Sequence, residues 1–369
     1  MEEIEERFNA NKDPRHQSYV TYRLSKILIP VMCAVICGIT ELADMMVYFE
    51  NKAAFFLEQF GIAQIPSKPT FSRMLNLLDA DAVGMVIVDI MRSSAKELGD
   101  VLAADGKAIR STGEDGKPHS FLQILTVYAT ESGVTLGQES IAHEDKTNEI
   151  PVFQAMLDTL DIKGKTITAD PMHCQKETCR KIVEKQGNYA FGLKANQANL
   201  HSDVRLFFES PVNSQDCSTF ETIEKNGGRI EKRKCVSTDK IEWLADRPLW
   251  PGLKTIYAIT RTVTKKGATT TETGYYISSL PNDPENLLRV TRSHWMIESM
   301  HWSLDAIWHE DDSAIRSDNG NKTLNAMRKL ALLAHKRFVA SLPKKRSVKS
   351  NVLSALLNED VCLAVLAFL

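Results

Sequence analysis

The sequence has no apolar run long enough to cross a membrane. Its longest, residues 27–39, is interrupted by Pro30 and is shorter than the roughly 20 residues that a membrane-spanning helix requires. The first six residues include four glutamates and lack the positive start and apolar stretch of a secretory signal. We therefore expect a buried helix over 27–39, no association with a membrane, and a cytoplasmic protein.

The sequence also lacks a cysteine pattern typical of disulfides. Its 369 residues contain seven cysteines, an odd number in a long chain, which argues against the disulfide framework of a small secreted protein. Cys174 and Cys179 lie near His173, but close cysteine pairs and a second ligand cluster are absent, so a zinc site is disfavoured. We expect reduced thiols.

Overall positive charge is missing as well. The formal net charge is −2, yet DNA binding depends on where the charges lie rather than on their sum. Residues 320–350 contain nine Lys or Arg and no Asp or Glu. This segment can neutralise several phosphates, although a solvated basic helix without a partner would have the same composition.

Helical periodicity dominates the first quarter of the chain. Apolar residues recur with helical spacing over residues 20–98, which predicts a helical N-terminal domain over residues 1–98. Residues 65–73 carry Pro and Ser where a helix would begin. We interpret them as an ordinary helix boundary, with the start of a DNA-recognition helix as the alternative.

From residue 101 the pattern changes to short runs that are typical of strands. We predict strands at 101–104, 121–130, 133–142, 165–169 and 189–193, and helices at 148–160 and 176–185. The order β-β-β-α-β-α-β predicts an α/β fold with a mixed sheet flanked by helices. A β-rich insertion is expected over 200–284, with a short helix at 203–208 and strands at 229–236, 254–264 and 271–278. A long helix is expected over 286–308.

Three acidic residues stand where this pattern would bring them together. Asp105 follows the strand 101–104 at a predicted turn, and Asp170 ends the strand 165–169 just before Pro171. Strand ends are where functional sites gather in α/β sheets. Glu298 lies on the long helix in a polar stripe with His294, His301 and Asp305. An adjoining apolar stripe of Ile297, Met300, Leu304 and Ile307 can pack on the sheet and aim Glu298 at the aspartates.

Three converging carboxylates suit Mg²⁺, a hard cation that prefers oxygen ligands. Two such ions, about 3.5 to 4 Å apart, promote in-line displacement at phosphorus. A single Asp at a strand end is more often a cap or a turn residue, so the argument depends on all three acids. The pattern Glu-x-x-His at 298–301 also occurs in di-iron helical bundles, but the sequence has no second copy.

Three tryptophans share the long helix with Glu298. Trp295, Trp302 and Trp308 are expected to pack in the core, because a large aromatic side chain is an ordinary way to anchor a helix on a sheet. Stacking on an unpaired base near a cut DNA end is the alternative.

The runs around these residues resemble the H-repeat-associated group of bacterial insertion-sequence transposases, within the DDE transposase superfamily. The resemblance spans nearly the whole chain and is carried by residues 104–110 (ADGKAIR), 169–175 (ADPMHCQ), 189–197 (YAFGLKANQ), 294–305 (HWMIESMHWSLD) and 310–313 (EDDS). It implies a ribonuclease-H-like catalytic domain over 99–199 and 285–340, interrupted by the β-rich insertion over 200–284. A basic, helical C-terminal segment over 341–369 follows.

The same resemblance implies a function. Asp105, Asp170 and Glu298 would be the catalytic triad and would hold Mg²⁺, or alternatively Mn²⁺. The substrates would be double-stranded DNA at the ends of a mobile element and at a target, bound by a homodimer. A ribonuclease-H-like nuclease without strand transfer, and a DNA-binding descendant without activity, are the alternatives.

Two features depart from the relatives. Pro171 stands where a small residue is more usual. Relatives in the wider superfamily carry a Tyr, an Arg and a Lys around the glutamate, whereas the positions four before and seven after Glu298 are His294 and Asp305 here. Arg292 or Lys322 is expected to contact phosphate instead. The full set of predicted DNA contacts is Lys107, Arg110, Lys194, Arg292, His294, His301, Lys322, Arg328, Lys344, Lys345 and Arg346.

Overall fold

The computed structural model describes residues 2–16, 20–113, 121–141 and 149–369. The chain begins with helices, as the apolar spacing predicts. They are α1 (Glu2–Asn9), α2 (Ser25–Ile36), α3 (Leu42–Asn51), α4 (Ala53–Phe60), α5 (Lys68–Leu77) and α6 (Ala80–Ser93). Every residue of α2 except Lys26 is buried, which confirms the expected interior helix. Among the described residues, no helix is long and apolar enough to cross a membrane.

In the described part of the chain, a mixed sheet of nine strands forms the centre of the protein. The strands are β1 (Val101–Ile109), β2 (Leu122–Ala129), β3 (Val134–Ile141), β4 (Thr166–Ala169), β5 (Asn188–Gly192), β6 (Ser218–Asn226), β7 (Arg229–Thr238), β8 (Thr255–Lys265) and β9 (Ala268–Ser278). Their order across the sheet is β3-β2-β1-β4-β5-β9-β8-β7-β6. The strands of residues 200–284 therefore extend the same sheet, joined through the antiparallel pair of β5 and β9.

The predicted strands need two corrections: one strand is longer than predicted, and one was missed. β1 does not end at Ala104, and Gly106 and Lys107 do not form a turn, because β2 continues to pair with β1 as far as Ile109. The pairing of β1 with its parallel neighbour β4 ends earlier, at Ala104 and Ala169. β6 was not predicted, because its polar and charged sequence, STFETIEKN, lacks a clear apolar alternation.

Helices cover both faces of the sheet. They are α7 (Glu149–Thr159), α8 (Lys176–Glu184), α9 (Ala198–Glu209), α10 (Pro284–Trp308), α11 (Asp318–Ser341), α12 (Val348–Leu357) and α13 (Glu359–Leu366). Side chains alternate along β1. Asp105 and Lys107 face α10, whereas the α-carbon of Gly106 faces Glu149 at the start of α7. The two helices therefore lie on opposite faces of β1.

Helix α11 connects the sheet with the N-terminal helices. It is buried from Gly320 to His335, apart from Lys322, and it packs against α6, α2 and α5 as well as against α12. One continuous hydrophobic core includes residues of the N-terminal helices, the sheet, α11 and the C-terminal helices. The helical N-terminal segment is thus packed on the sheet directly through α6, which contacts β3, and through α11.

Candidate active site

The register of two parallel strands places Asp105 and Asp170 side by side. Ala104 of β1 pairs with Ala169 of β4, so each aspartate is the next residue along its own chain. Asp105 continues the strand, whereas Asp170 leaves it and precedes a 3-10 turn, Pro171–His173. The predicted strand-end location is therefore right for Asp170 and wrong for Asp105, yet the two residues are neighbours.

Helix α10 carries Glu298 to the same place. The Asp283 carboxylate caps the helix by accepting hydrogen bonds from the backbone N–H groups of Glu285 and Asn286. Ile297, Met300 and Leu304 are fully buried against the sheet, as the predicted apolar stripe requires. Glu298 lies on the adjoining face of the helix, only partly exposed.

A cleft of about 280 Å³ connects two of the three acids. Asp170 and Glu298 line it, together with Lys194, Tyr276 and Trp295. Lys194 is exposed, so the cleft combines two carboxylates, one cation and aromatic surface. This combination suits a phosphate-bearing substrate with flat bases.

The charges of the two aspartates affect the pKa of Glu298. Burial, together with the negative charges of Asp105 and Asp170, raises the pKa of Glu298, although His294 opposes this effect. The neighbouring His294 imidazole lowers the pKa of Asp170, and the charge of Lys194 acts in the same direction. Glu298 is therefore close enough to both aspartates to be repelled by their charges.

Each aspartate also has a histidine from α10 beside it. His294 Nε2 lies 3.7 Å from Asp170 Oδ1, and its Nδ1 lies 3.3 Å from Thr168 Oγ1. His301 Nδ1 lies 3.2 Å from Asp105 Oδ2. Both imidazoles were expected at the DNA surface. They instead lie against the aspartates, largely shielded from solvent.

The donor set fits a hard divalent cation in chemistry, since all three side chains offer carboxylate oxygens and their mutual repulsion would be relieved by a positive ion. Their atoms are not gathered into a ready coordination cluster: across 2–16, 20–113, 121–141 and 149–369, no group of three or more His, Cys, Asp or Glu is placed to hold a metal ion.

Several predicted DNA contacts have partners within the protein. Arg328 is fully buried and pairs with Glu310 at 3.1 Å, so the prediction that it contacts DNA is wrong. Lys107 is almost enclosed, with Nζ 2.9 Å from Asp305 and 3.2 Å from both Glu310 and Asp311.

Other predicted contacts remain nearer the surface. Arg292 forms a two-pronged ion pair with Glu224 at 2.6 and 2.9 Å, and Lys322 lies 3.3 Å from Asp81. Arg110 is 78% exposed. The side chains of Lys344, Lys345 and Arg346 are exposed between α11 and α12.

The tryptophan prediction is wrong for two residues of three. Trp308 is buried, and its indole Nε1–H donates to Val35 O at 2.7 Å. Trp295 and Trp302 are 58% and 69% exposed. They lie about one helical turn before and after Glu298, because α10 packs through a different face.

Sequence reasoning missed a polar network beneath the site. Glu310 is fully buried between Arg328 and Lys107, and Asn325 Nδ2 donates to it at 2.9 Å. These contacts join β1, α11 and the segment after α10. Only the EDDS run at 310–313 pointed to this segment, and nothing in its spacing indicated burial.

Comparison with known proteins identifies the family. The sequence profile described as "Transposase DDE domain" matches residues 96–334, and one described as "DDE_Tnp_1-associated" matches residues 5–89. "Putative transposase YncI" of Escherichia coli O157:H7 is 32% identical over 331 residues, covering 87% of this chain and 84% of that protein. "H repeat-associated putative transposase YhhI" of Escherichia coli K12 is 30% identical over 358 residues, covering 94% of each.

The fold has a solved relative. The chain is similar to the piggyBac transposase in a synaptic complex with hairpin DNA, with a TM-score of 0.51 over 98% of this chain and 81% of that one, at 10% identity. This likeness concerns the fold alone and confirms the expected ribonuclease-H-like architecture. With the Transposase DDE domain covering residues 96–334, the chain belongs to the DDE transposase family and to its H-repeat-associated relatives.

Proposed function

We propose that the protein cuts and rejoins DNA at the ends of a mobile element by two-metal-ion phosphoryl transfer, with Asp105, Asp170 and Glu298 as the catalytic residues. The observation that carries this proposal is the meeting of these three carboxylates from β1, from the end of β4 and from α10. Asp170 and Glu298 line an open cleft rather than lying in the core.

The three carboxylates would hold Mg²⁺, or Mn²⁺ in its place. When bound, the ions would activate an attacking hydroxyl and stabilise the leaving oxygen. The remaining work falls to the side chains of the chain itself. Lys194 is placed to bind a phosphate in the cleft, and its charge would hold the DNA backbone against Asp170 and Glu298.

In this proposal His294 and His301 orient the two aspartates. Each imidazole occupies a position next to one carboxylate and partly screens its negative charge. Release of these contacts would free the carboxylate oxygens to act together. The two histidines therefore serve as exchangeable partners of the triad in this proposal.

Double-stranded DNA is the proposed substrate, and two copies of the chain are proposed to act on paired ends. The proposal of a DNA substrate is supported by exposed cations near the site and beyond it, namely Arg110, Lys194, Lys344, Lys345 and Arg346. The proposal that two copies act on paired ends agrees with the synaptic complex with hairpin DNA of the structurally similar piggyBac transposase.

We also propose that the protein acts in the cytoplasm. All seven cysteines are free thiols, which agrees with a reducing compartment.

The test is a cleavage assay on DNA that carries the flanking element ends, with Mg²⁺ or Mn²⁺. We expect the wild-type protein to nick the ends and to produce strand-transfer products. Asp105→Asn, Asp170→Asn and Glu298→Gln should remain folded and be inactive. Cleavage without transfer products would indicate a nuclease, and binding of the ends without any cleavage would contradict the catalytic proposal.

A further inference from the structure

A carboxylate and an imidazole form a shielded pair on the face of the sheet opposite α10. Glu149 is the first residue of α7, and its Oε1 lies 3.0 Å from His173 Nε2. The His173 side chain is fully buried and that of Glu149 is 15% exposed. Because a carboxylate can only accept a hydrogen bond, the imidazole donates its Nε2–H to Glu149.

Glu149 also reaches the strand that carries Asp105. A Cβ added at Gly106 would lie 2.9 Å from Glu149 Oε1 and 3.2 Å from its Cδ. A side chain at position 106 would therefore collide with the carboxylate. The glycine next to Asp105 allows Glu149 to lie directly against the backbone of β1.

His173 closes the turn that follows Asp170. Its backbone N–H donates to Asp170 O at 2.9 Å, and its ring meets the edge of Phe153 with centroids 4.7 Å apart. Its Nδ1 is buried, and among the described residues it has no hydrogen-bond partner. Within the described part of the chain, the only side-chain hydrogen bond that orients this ring is therefore the one it donates to Glu149.

The two aspartates lie beyond the last backbone pair that joins their strands, Ala104 with Ala169. We propose that Glu149 and His173 are positioning residues that set the separation of Asp105 and Asp170. One carboxylate touches the residue after Asp105 and, through His173, the turn after Asp170. This inference rests on the proposed function, since it assigns the pair to the same metal-binding carboxylates.

The experiment measures Mn²⁺ affinity of the free protein by calorimetry, with no DNA present. We expect Glu149→Ala to weaken Mn²⁺ binding by about tenfold or more, the usual effect of removing an outer partner of metal ligands. Gly106→Ala should have a similar effect, because its methyl group displaces the Glu149 carboxylate. Glu149→Gln should stay close to wild type, because the amide keeps the same shape and still accepts from His173.

The double variant Gly106→Ala with Glu149→Ala gives the sharpest outcome. The three nearest described atoms to the added methyl group all belong to the Glu149 carboxylate. With that carboxylate removed, the double variant should therefore bind Mn²⁺ no more weakly than Glu149→Ala. Fully additive losses would overturn the inference. So would a Glu149→Gln variant as weak as Glu149→Ala, since the carboxylate would then act through its charge.

Two controls separate the possible failures. Asp105→Asn tests the metal site itself: unchanged Mn²⁺ affinity in this variant would refute the proposed function, and the inference with it. If Asp105→Asn weakens binding but Glu149→Ala and Gly106→Ala do not, only the positioning role is wrong. Leu157→Ala removes a buried side chain of α7, and it should lower the melting temperature without changing Mn²⁺ affinity.

Discussion

Arg328 and Glu310 form an ion pair in which neither side chain is exposed to solvent, with Nη1 3.1 Å from Oε1. Burial by itself would raise the pKa of Glu310, but the charges of Arg328 and Lys107 outweigh it and hold that pKa at about 2. The pair joins α11 to the segment after α10. Lys107 connects it to β1, two residues beyond Asp105.

Arg328→Met should destabilise the fold. It leaves the buried Glu310 without its main counter-charge, which typically costs about 3 to 5 kcal/mol, and contacts from Lys107 and Asn325 favour the lower end. Urea unfolding measures this loss. Arg110→Met, at a side chain that is 78% exposed, should change the free energy of unfolding very little. If the Arg328→Met protein were as stable as wild type and bound DNA more weakly, the prediction that Arg328 contacts DNA would be right after all.

Stability should fall in mild acid because of His335. Its Nε2–H donates to Ile36 O, and its Nδ1 accepts from Asn351 Nδ2, both at 2.9 Å. Burial lowers the pKa of His335 from 6.5 to about 4. Between these values the unfolded chain binds more protons than the folded one, so stability is retained above pH 6.5 and lost as the pH falls to about 4.

The loss attributable to His335 should amount to about 3 kcal/mol over this range. His335→Gln can donate to Ile36 and accept from Asn351 but cannot take up the proton. Urea unfolding of both proteins from pH 7 to pH 4 should show a shallower decline for the variant. Parallel curves would mean that His335 does not contribute.

The exposed and buried tryptophans of α10 should respond differently to substitution. Trp302→Ala is expected to weaken binding to a duplex with an unpaired end by about 1 to 3 kcal/mol, the usual value of base stacking on an aromatic ring, and to leave the melting temperature unchanged. Trp308→Ala should instead destabilise the fold by about 3 to 5 kcal/mol. Fluorescence anisotropy with frayed and fully paired duplexes checks the first expectation. Equal affinity of Trp302→Ala and wild type for both duplexes would exclude stacking.

The basic link between α11 and α12 should bind the DNA backbone. Replacing Lys344, Lys345 and Arg346 together with Ala removes three exposed charges, and the slope of log affinity against log salt should decrease in magnitude by up to about 2.7 for three lost phosphate contacts. The loss should be similar for specific and unrelated DNA. An unchanged affinity and slope would remove this surface from the DNA path.

Much of the architecture could be predicted because the relevant patterns are local. Strands β4, β5, β7 and β8 and helices α8 and α10 lie within a few residues of their predicted bounds, since apolar periodicity reports which stretch is buried and with which spacing. The triad could be proposed for the same reason. Two aspartates follow apolar strand residues, and Glu298 flanks the apolar stripe of α10.

What the sequence determined by itself was therefore the order of the elements and the residues that could form the site. Only the tertiary structure decided which polar and aromatic side chains stay in water. Arg328 of α11 is buried against Glu310, whereas the side of α10 that carries Trp302 is left uncovered by the described residues, and Trp302 is 69% exposed. Glu149 meets Gly106 from 43 positions away along the chain. Local periodicity shows how a segment is patterned, but burial depends on which distant segment packs against it.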